Sequence, residues 1–410
     1  MYKPVYFTED MKKTHTILIP NMLPIHFHLM IEVFRKYGYN MVLLESTSKK
    51  VINEGLKSVH NDACYPAILV VGQFMEALKN GKYDSDKVAL LITQTGGGCR
   101  ASNYIYLLRK ALAARNLNIP VLSLNFSGLE KESSLPLTPK LAVELLYAVL
   151  YGDFLMSMHN QCIPYELHKG DTDKVLDKWT KKLQELFKTG NIVSEKPTKK
   201  KYREILADFK AIERSKEKRP KVGIIGEIYV KYSPLANNHL EDFLISQGCE
   251  PVLPMLLEFC LYCTVTAQEN RKLYGHSLKS AEIMKVAYDI LHSQLMKMAD
   301  VIKEDGEFMP PHDFDMLRKA ADKYISQGVS MGEGWMITAE MAVFAETGIT
   351  NMVLTQPFGC LPNHIVAKGM QRKIKETHPY ANIVAVDYDA GATKVNQENR
   401  IKLMLANVER

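Results

Sequence analysis

Thr93-Gln-Thr-Gly-Gly-Gly-Cys99-Arg-Ala-Ser-Asn103 is the stretch on which the reading of the fold turns. Before it, residues 88–93 form a short apolar run, the mark of a buried strand. After it, residues 103–114 carry helical periodicity, and 120–124 is the next apolar run. The glycines let the chain turn sharply from strand to helix and bring backbone N–H groups close to whatever the turn holds. A second stretch, Thr355-Gln-Pro-Phe-Gly-Cys360-Leu-Pro-Asn363, repeats the order. Thr-Gln closes a strand at 351–355, Gly-Cys sits in the turn, and an Asn follows. A helix at 363–377 then leads to a strand at 382–387. Two matched units so far apart predict two related lobes.

Outward from these turns the alternation continues. Apolar runs at 16–20 and 40–44 alternate with helical patterns at 25–37 and 66–78. The pattern restarts at Lys221-Val-Gly-Ile-Ile-Gly226, with a helix at 238–247 and a strand at 251–254. A mainly helical insertion, 256–327, precedes the helix 336–346. Short strands alternating with helices predict an α/β fold: two related doubly wound (flavodoxin- or Rossmann-like) parallel-sheet lobes with a helical bridge. The predicted division is lobe one at 1–165, a basic helical bridge at 166–219 and lobe two at 220–410. In the bridge, Val175, Leu176, Trp179, Leu183 and Leu186 mark one amphipathic helix, and Tyr202, Ile205, Leu206 and Phe209 another. Their polar faces are expected in solvent. The sharper reading of the basic runs 196–203 and 214–221 is a docking face for an acidic partner.

Hydrophobic residues make up 46% of the 410, enough for ordinary buried cores. With 52 basic and 46 acidic residues the net charge is +6, too mild an excess to imply nucleic acid without a concentrated basic face. The polar stretch 1–13 gives no expectation of a signal peptide. No apolar run is long enough and free enough of charge to predict a membrane span. The most apolar segment, 141–158, contains Glu144 and Asp153 and reads as a core helix. A cytoplasmic location is the expectation. No GxGxxG follows the first strand of either lobe, and no GxxxxGK is followed by Ser or Thr, so nothing predicts nucleotide binding.

Seven cysteines, at 64, 99, 162, 249, 260, 263 and 360, are too scattered for a disulfide framework. Cys99 and Cys360 lie beyond strand carboxyl ends, where doubly wound folds bind ligands. Cys64, in His60-Asn-Asp-Ala-Cys64-Tyr-Pro66, opens a helix with proline in its first turn. A helix N-terminus favours a thiolate, so lowered thiol pKa values are expected at all three. Thiolates are the ligands of iron–sulfur clusters. Three would leave one iron of a 4Fe-4S cube without a protein thiolate, open to water or substrate. Cys260-Leu-Tyr-Cys263 lies in an apolar helical stretch and reads as core packing, as do Cys162 and Cys249.

Lobe two has no counterpart of Cys64. Met331-Gly-Glu-Gly-Trp335 opens the equivalent helix, where Trp335 or Glu333 takes the place of Cys64, and Glu333 is the carboxylate there. It is a candidate proton-transfer group or oxygen ligand, or a carboxylate simply favoured by the helix dipole. His364, just past Cys360, joins Glu333 as a candidate catalytic residue. His60, Gln94, Arg100, Gln356 and the stretch from Glu227 to Tyr232 border the same cleft.

Together with Gly223-Ile-Ile-Gly-Glu-Ile-Tyr-Val-Lys-Tyr-Ser233 and Asp387-Tyr-Asp389, these motifs resemble those of the 2-hydroxyacyl-CoA dehydratase superfamily. The likeness is greatest to the carboxy-terminal part of the large acyl-CoA dehydratase activase-related proteins, and it spans nearly the whole chain. The resemblance implies a 4Fe-4S cluster or, in some branches, a double-cubane cluster. It also implies a low-potential electron from a separate ATP-hydrolysing iron–sulfur activator. Dehydratases use that electron to eliminate water from a 2-hydroxyacyl-CoA; other branches are reductases of small molecules, and the chemistry is anaerobic. A double cubane needs more thiolates than the three suitably placed cysteines, so a single cube is expected. With it go an acyl-CoA or other small-molecule substrate and a second subunit or homodimer, but no nucleic acid and no membrane. The alternative is a cluster-bearing electron-transfer or assembly component that catalyses nothing itself.

Overall fold

The computed structural model describes residues 4–60, 62–95, 98–125 and 132–407. Its eight strands form two sheets of four, all parallel. In lobe one, β1 (Thr16–Pro20), β2 (Met41–Leu44), β3 (Val88–Gln94) and β4 (Val121–Asn125) are ordered β2-β1-β3-β4. In lobe two, β5 (Lys221–Gly226), β6 (Glu250–Val252), β7 (Asn351–Pro357) and β8 (Asn382–Tyr388) are ordered β6-β5-β7-β8. The second sheet repeats the order of the first. This is the two-lobed α/β architecture that the repeated Gly-Cys turns predict. In both sheets the winding reverses between the first and third strands, and the crevice beyond their carboxyl ends is the place such sheets offer to a ligand.

Alternate strand residues feed two cores, because side chains along a strand point to opposite faces. Ile17, Ile19, Ala89 and Leu91 enter one core with Ile225, Met352 and Leu354. Leu18, Leu90 and Ile92 enter the other with Val222, Ile224 and Val353. Each core therefore runs through both lobes, and the near-continuous apolar strands are those of sheets covered on both faces.

Charge enters this interior in partnership. The helix Pro139–Cys162 begins a segment apolar and long enough to cross a membrane by length and composition, yet 67% of its most apolar stretch is buried inside the protein. Its Glu144 accepts from Lys36 Nζ at 2.8 Å. Its Asp153 pairs with His26 Nε2 at 2.8 Å and accepts from the Leu256 and Leu257 N–H groups at 2.8 and 2.9 Å. Asp153 thus caps the first helix of the insertion, Leu256–Tyr274.

The bridge helices, Asp171–Thr189 and Lys199–Lys210, bury their apolar stripes: Trp179, Leu183, Phe187, Tyr202, Ile205 and Phe209 all lie in the first core. Their basic face is answered from within the chain. Lys199 pairs with Asp300 at 2.8 Å, Arg203 with Glu304 at 2.5 Å and Lys210 with Asp305 at 2.6 Å, all at the acidic end of the helix Leu278–Asp305. Arg214 pairs with Glu307. The run that could have docked an acidic partner docks an acidic helix of its own chain. Exposed pairs of this kind contribute little singly, so the buried stripe holds the bridge in place.

Candidate functional site

Four turns meet at the carboxyl edges of the two sheets. Cys64 caps the helix Tyr65–Lys79, and its Sγ lies 2.8 Å from the Tyr104 hydroxyl. Cys99 caps the short turn Arg100–Asn103 that follows β3, and its Sγ accepts from Ala101 N–H at 3.5 Å. Arg100 Nη1 donates to the Asp62 carbonyl at 2.5 Å, tying the two cysteine turns of lobe one together. Cys360 caps the helix Leu361–Val366 after β7. The lobes touch here: Tyr65 N–H donates to the Phe358 carbonyl at 2.9 Å. Gly359 has φ +75°, and a Cβ there would fall 2.9 Å from the Cys64 Cα. The fourth turn, at Met331, presses on the Cys99 turn, for a Cβ at Gly98 would fall 2.8 Å from Met331 Sδ. Asn61, Gly96 and Gly97 lie outside the described residues.

Glu333 stands among these turns. It is buried, and its Oε1 accepts from Ile228 N–H at 2.9 Å. Glu227, at the end of β5, accepts from Val230 N–H at 2.9 Å. Desolvation pushes both carboxyls above their usual range, and the charge of Glu333 adds to the shift of Glu227. The thiols respond in kind. Burial and then the Glu333 charge push Cys99 up to about 12. The same two causes, in the same order, raise Cys360, while burial raises Cys64. The lowered thiol pKa values expected from the helix N-termini are not what the structure gives. The desolvation of thiols set beside carboxyls outweighs the helix-end effect. Cys64 is buried, and Cys99 and Cys360 are partly so.

His364, the candidate catalytic residue beside Cys360, is engaged at both ring nitrogens. Its Nδ1 lies 2.8 Å from the Cys360 carbonyl oxygen and its Nε2 3.0 Å from Gln356 Nε2. The ring thus links the Cys360 turn to the end of β7. Gln356 Nε2 also donates to Asp387 Oδ1 at 2.6 Å. His60 is exposed beside Asp62. Of the cysteines expected to pack the core, Cys162 and Cys249 are buried, but Cys263 is exposed. CxxC spacing gave no signal of that, because the environment of a helix face is set by what packs on it. Gly328-Val-Ser-Met-Gly332 has the spacing of a nucleophile elbow, but it follows the helix Phe314–Tyr324 and lacks the preceding strand that such an elbow requires.

Behind the crevice lies a buried cation. Lys231 Nζ is 3.2 Å from Glu340 Oε1, with both side chains almost wholly enclosed. Its charge bears on four carboxyls: Glu227, Glu258, Glu333 and Glu340. One cation cannot balance four carboxylates, so protons must be held there. Burial and then the Glu340 charge push Glu258 up to about 8 from 4.5. The folded state keeps a proton that the unfolded chain releases, so this contribution is fully present below pH 4.5 and is lost as pH rises through 8. The urea midpoint is therefore expected to fall across that window, and Glu258→Gln to flatten the fall.

The geometry defines a two-lobed α/β protein with a thiol-lined crevice at the joint of its sheets. Residues 16–85 match the family model of the CoA enzyme activase uncharacterised domain (DUF2229). The matched segment runs from β1 through the Cys64 helix and ends before Cys99. It supports the activase-related side of the resemblance, not the dehydratase itself. No curated protein matches the chain.

Proposed function

We propose that the chain is a cytoplasmic iron–sulfur enzyme of the 2-hydroxyacyl-CoA dehydratase or ATP-dependent reductase type. In this reading Cys64, Cys99 and Cys360 hold one 4Fe-4S cluster, and a separate ATP-hydrolysing activator supplies the low-potential electron. The convergence of thiol turns from both lobes carries the reading. The donor set suits the group: soft sulfur ligands, recessed, at chain turns whose N–H groups can face cluster sulfides. Two fully buried acceptors beside the Cys360 turn, Gln356 Oε1 and Asn363 Oδ1, have no partner among the described residues. When bound, the cluster would supply one-electron chemistry and an iron open to substrate. The chain's own groups then do the rest. Glu333 and Glu227, with raised affinities for protons, hold and return a proton at the crevice wall. Tyr104 donates a hydroxyl hydrogen toward Cys64, and Arg100 and His364 fix the turns.

Reconstitution of the full chain with ferrous iron and sulfide under anaerobic conditions tests this. Brown protein with iron and sulfide near four per chain is expected, about the content of one cube, with Cys99→Ser and Cys360→Ser falling to background. Colourless, iron-free protein of normal fold would sink the reading. The activase description of residues 16–85 favours a second reading, an electron-transfer component without catalysis. An EPR signal from the reduced cluster that no added CoA ester perturbs is the result that would select it.

A further inference from the structure

We propose that the recess beside β6 binds a small organic cation, a primary ammonium on a short apolar chain, which pairs there with Glu258. The recess lies just beyond the carboxyl end of β6. Walls come from the last helix of lobe one, Pro139–Cys162, from the first turn of Leu256–Tyr274 and from residues 309–312 of the insertion. It leaves about 50 Å³ free for the centres of water-sized spheres. One water needs about 10–15 Å³ on that measure. A few waters or a short amine therefore fit, and a coenzyme does not. None of the cysteines of the thiol crevice lines the recess, so the site does not depend on the cluster.

Glu258 supplies the charge. It lines the recess yet is only 6% exposed, and it enters no ion pair among the described residues. The cation in whose field it lies, Lys231, is spent on Glu340 Oε1 at 3.2 Å, while Glu340 and Asp153 add negative charge around it. A carboxylate buried without a cation of its own is costly and takes up a proton instead. A second cation in the recess would release that proton. The other polar side chains of the lining are engaged within the protein. Asn160 Nδ2 donates to Glu241 at 2.8 Å, and Gln161 Nε2 donates to Ser157 Oγ at 3.2 Å. Gln161 also accepts from the Met309 N–H at 2.6 Å. A hard metal ion, which takes about six oxygens, finds too few. Burial lowers His312, which lines the recess as a neutral imidazole and does not repel a cation. Met156, Met309, Pro254 and Phe344 offer apolar surface to an alkyl chain, and Phe344 adds an aromatic ring of the kind that attracts cations.

Isothermal titration calorimetry of the full chain with ethylammonium chloride tests the site, with ethanol as the neutral analogue of the same shape. So small a ligand should bind with a dissociation constant of about 1 mM, and ethanol at least about tenfold more weakly. Glu258 lies near 8, so ethylammonium binding at pH 7 should release close to one proton. That release is read from the difference in heat between buffers of unlike ionisation enthalpy. Affinity should rise with pH through 8 and level off above it. Glu258→Gln, neutral and of the same shape, should lose at least about tenfold in ethylammonium affinity together with the proton release. Ethanol bound as tightly as ethylammonium, or no ethylammonium binding to the wild type, would overturn the assignment whatever the variant does. So would unchanged affinity in a folded Glu258→Gln. The cluster reading stands or falls separately, on iron and sulfide content.

Discussion

Replacing Lys231 by Met is expected to cost about 3–5 kcal/mol of stability at neutral pH, among the largest effects available to a single side chain here. Lys231 is the cation that Glu227, Glu258, Glu333 and Glu340 share, and Glu340 Oε2 already lacks a partner among the described residues. Taking the ammonium away leaves Glu340 as an uncompensated carboxylate, or forces it to bind a proton at the expense of folding. Lys231 also packs 4.9 Å from the Tyr232 ring centroid, a contact the methionine keeps only as apolar surface. Urea unfolding of Lys231→Met and of Lys231→Met/Glu340→Gln separates the causes. The double variant should recover much of the loss, since burying two neutral groups of similar shape costs far less than burying one unpaired charge. Equal stability for the two would show that the pair itself is not the source.

Gly359→Ala is the second, and under the proposed cluster reading its effect should fall on iron binding. The position has φ +75°, and an added Cβ would meet backbone, the Cys64 Cα at 2.9 Å and the Ala63 carbonyl oxygen at 3.2 Å, which cannot swing aside as a flexible side chain can. Gly81 provides the control, with φ +75° and nothing within 4 Å of a Cβ. Both variants bear the left-handed backbone penalty of about 1–2 kcal/mol. Only Gly359→Ala also forces the Cys64 and Cys360 turns apart. Iron retained after anaerobic loading and desalting should drop severalfold in Gly359→Ala and stay at the wild-type level in Gly81→Ala. Equal retention in the two would mean that the close seam at Gly359 is not what keeps the thiols together.

Much of this architecture is legible in the chain because it is written in local patterns. Apolar runs of strand length, helical periodicity and the repeated Gly-Cys turns are properties of neighbouring residues, and they led to two parallel sheets of like order. The duplicated turns also placed Cys99 and Cys360 at equivalent strand ends, and the asymmetry at Met331–Trp335 drew attention to Glu333. Patterns that are only locally weak were not seen. The helices Glu9–Thr14, Lys49–Leu56 and Lys394–Leu405 are short or polar, and the stretch expected as one helix at 363–377 breaks at the 3-10 turn Lys368–Met370. What depends on distant packing was out of reach altogether. The thiol pKa values are governed by desolvation, joined at Cys99 by a carboxyl from the other lobe and at Cys360 by the same carboxyl from its own lobe, not by the helix ends beside them. The exposure of Cys263 depends on how the insertion lies over lobe two. The basic bridge read as a solvated surface, with docking of another molecule as the sharper alternative, because its acidic partner lies about a hundred residues further along the chain, as in Lys199 and Asp300.

The seam at Gly359 and Tyr65 has one more consequence. Cys64 and Cys99 belong to the first sheet, and Cys360 to the second, so a group held by all three acts as a rivet between the lobes. Anything that binds the joined state and not the separated one stabilises it by mass action. Loading should therefore raise the melting temperature and slow proteolysis at this joint more than at the outer edges.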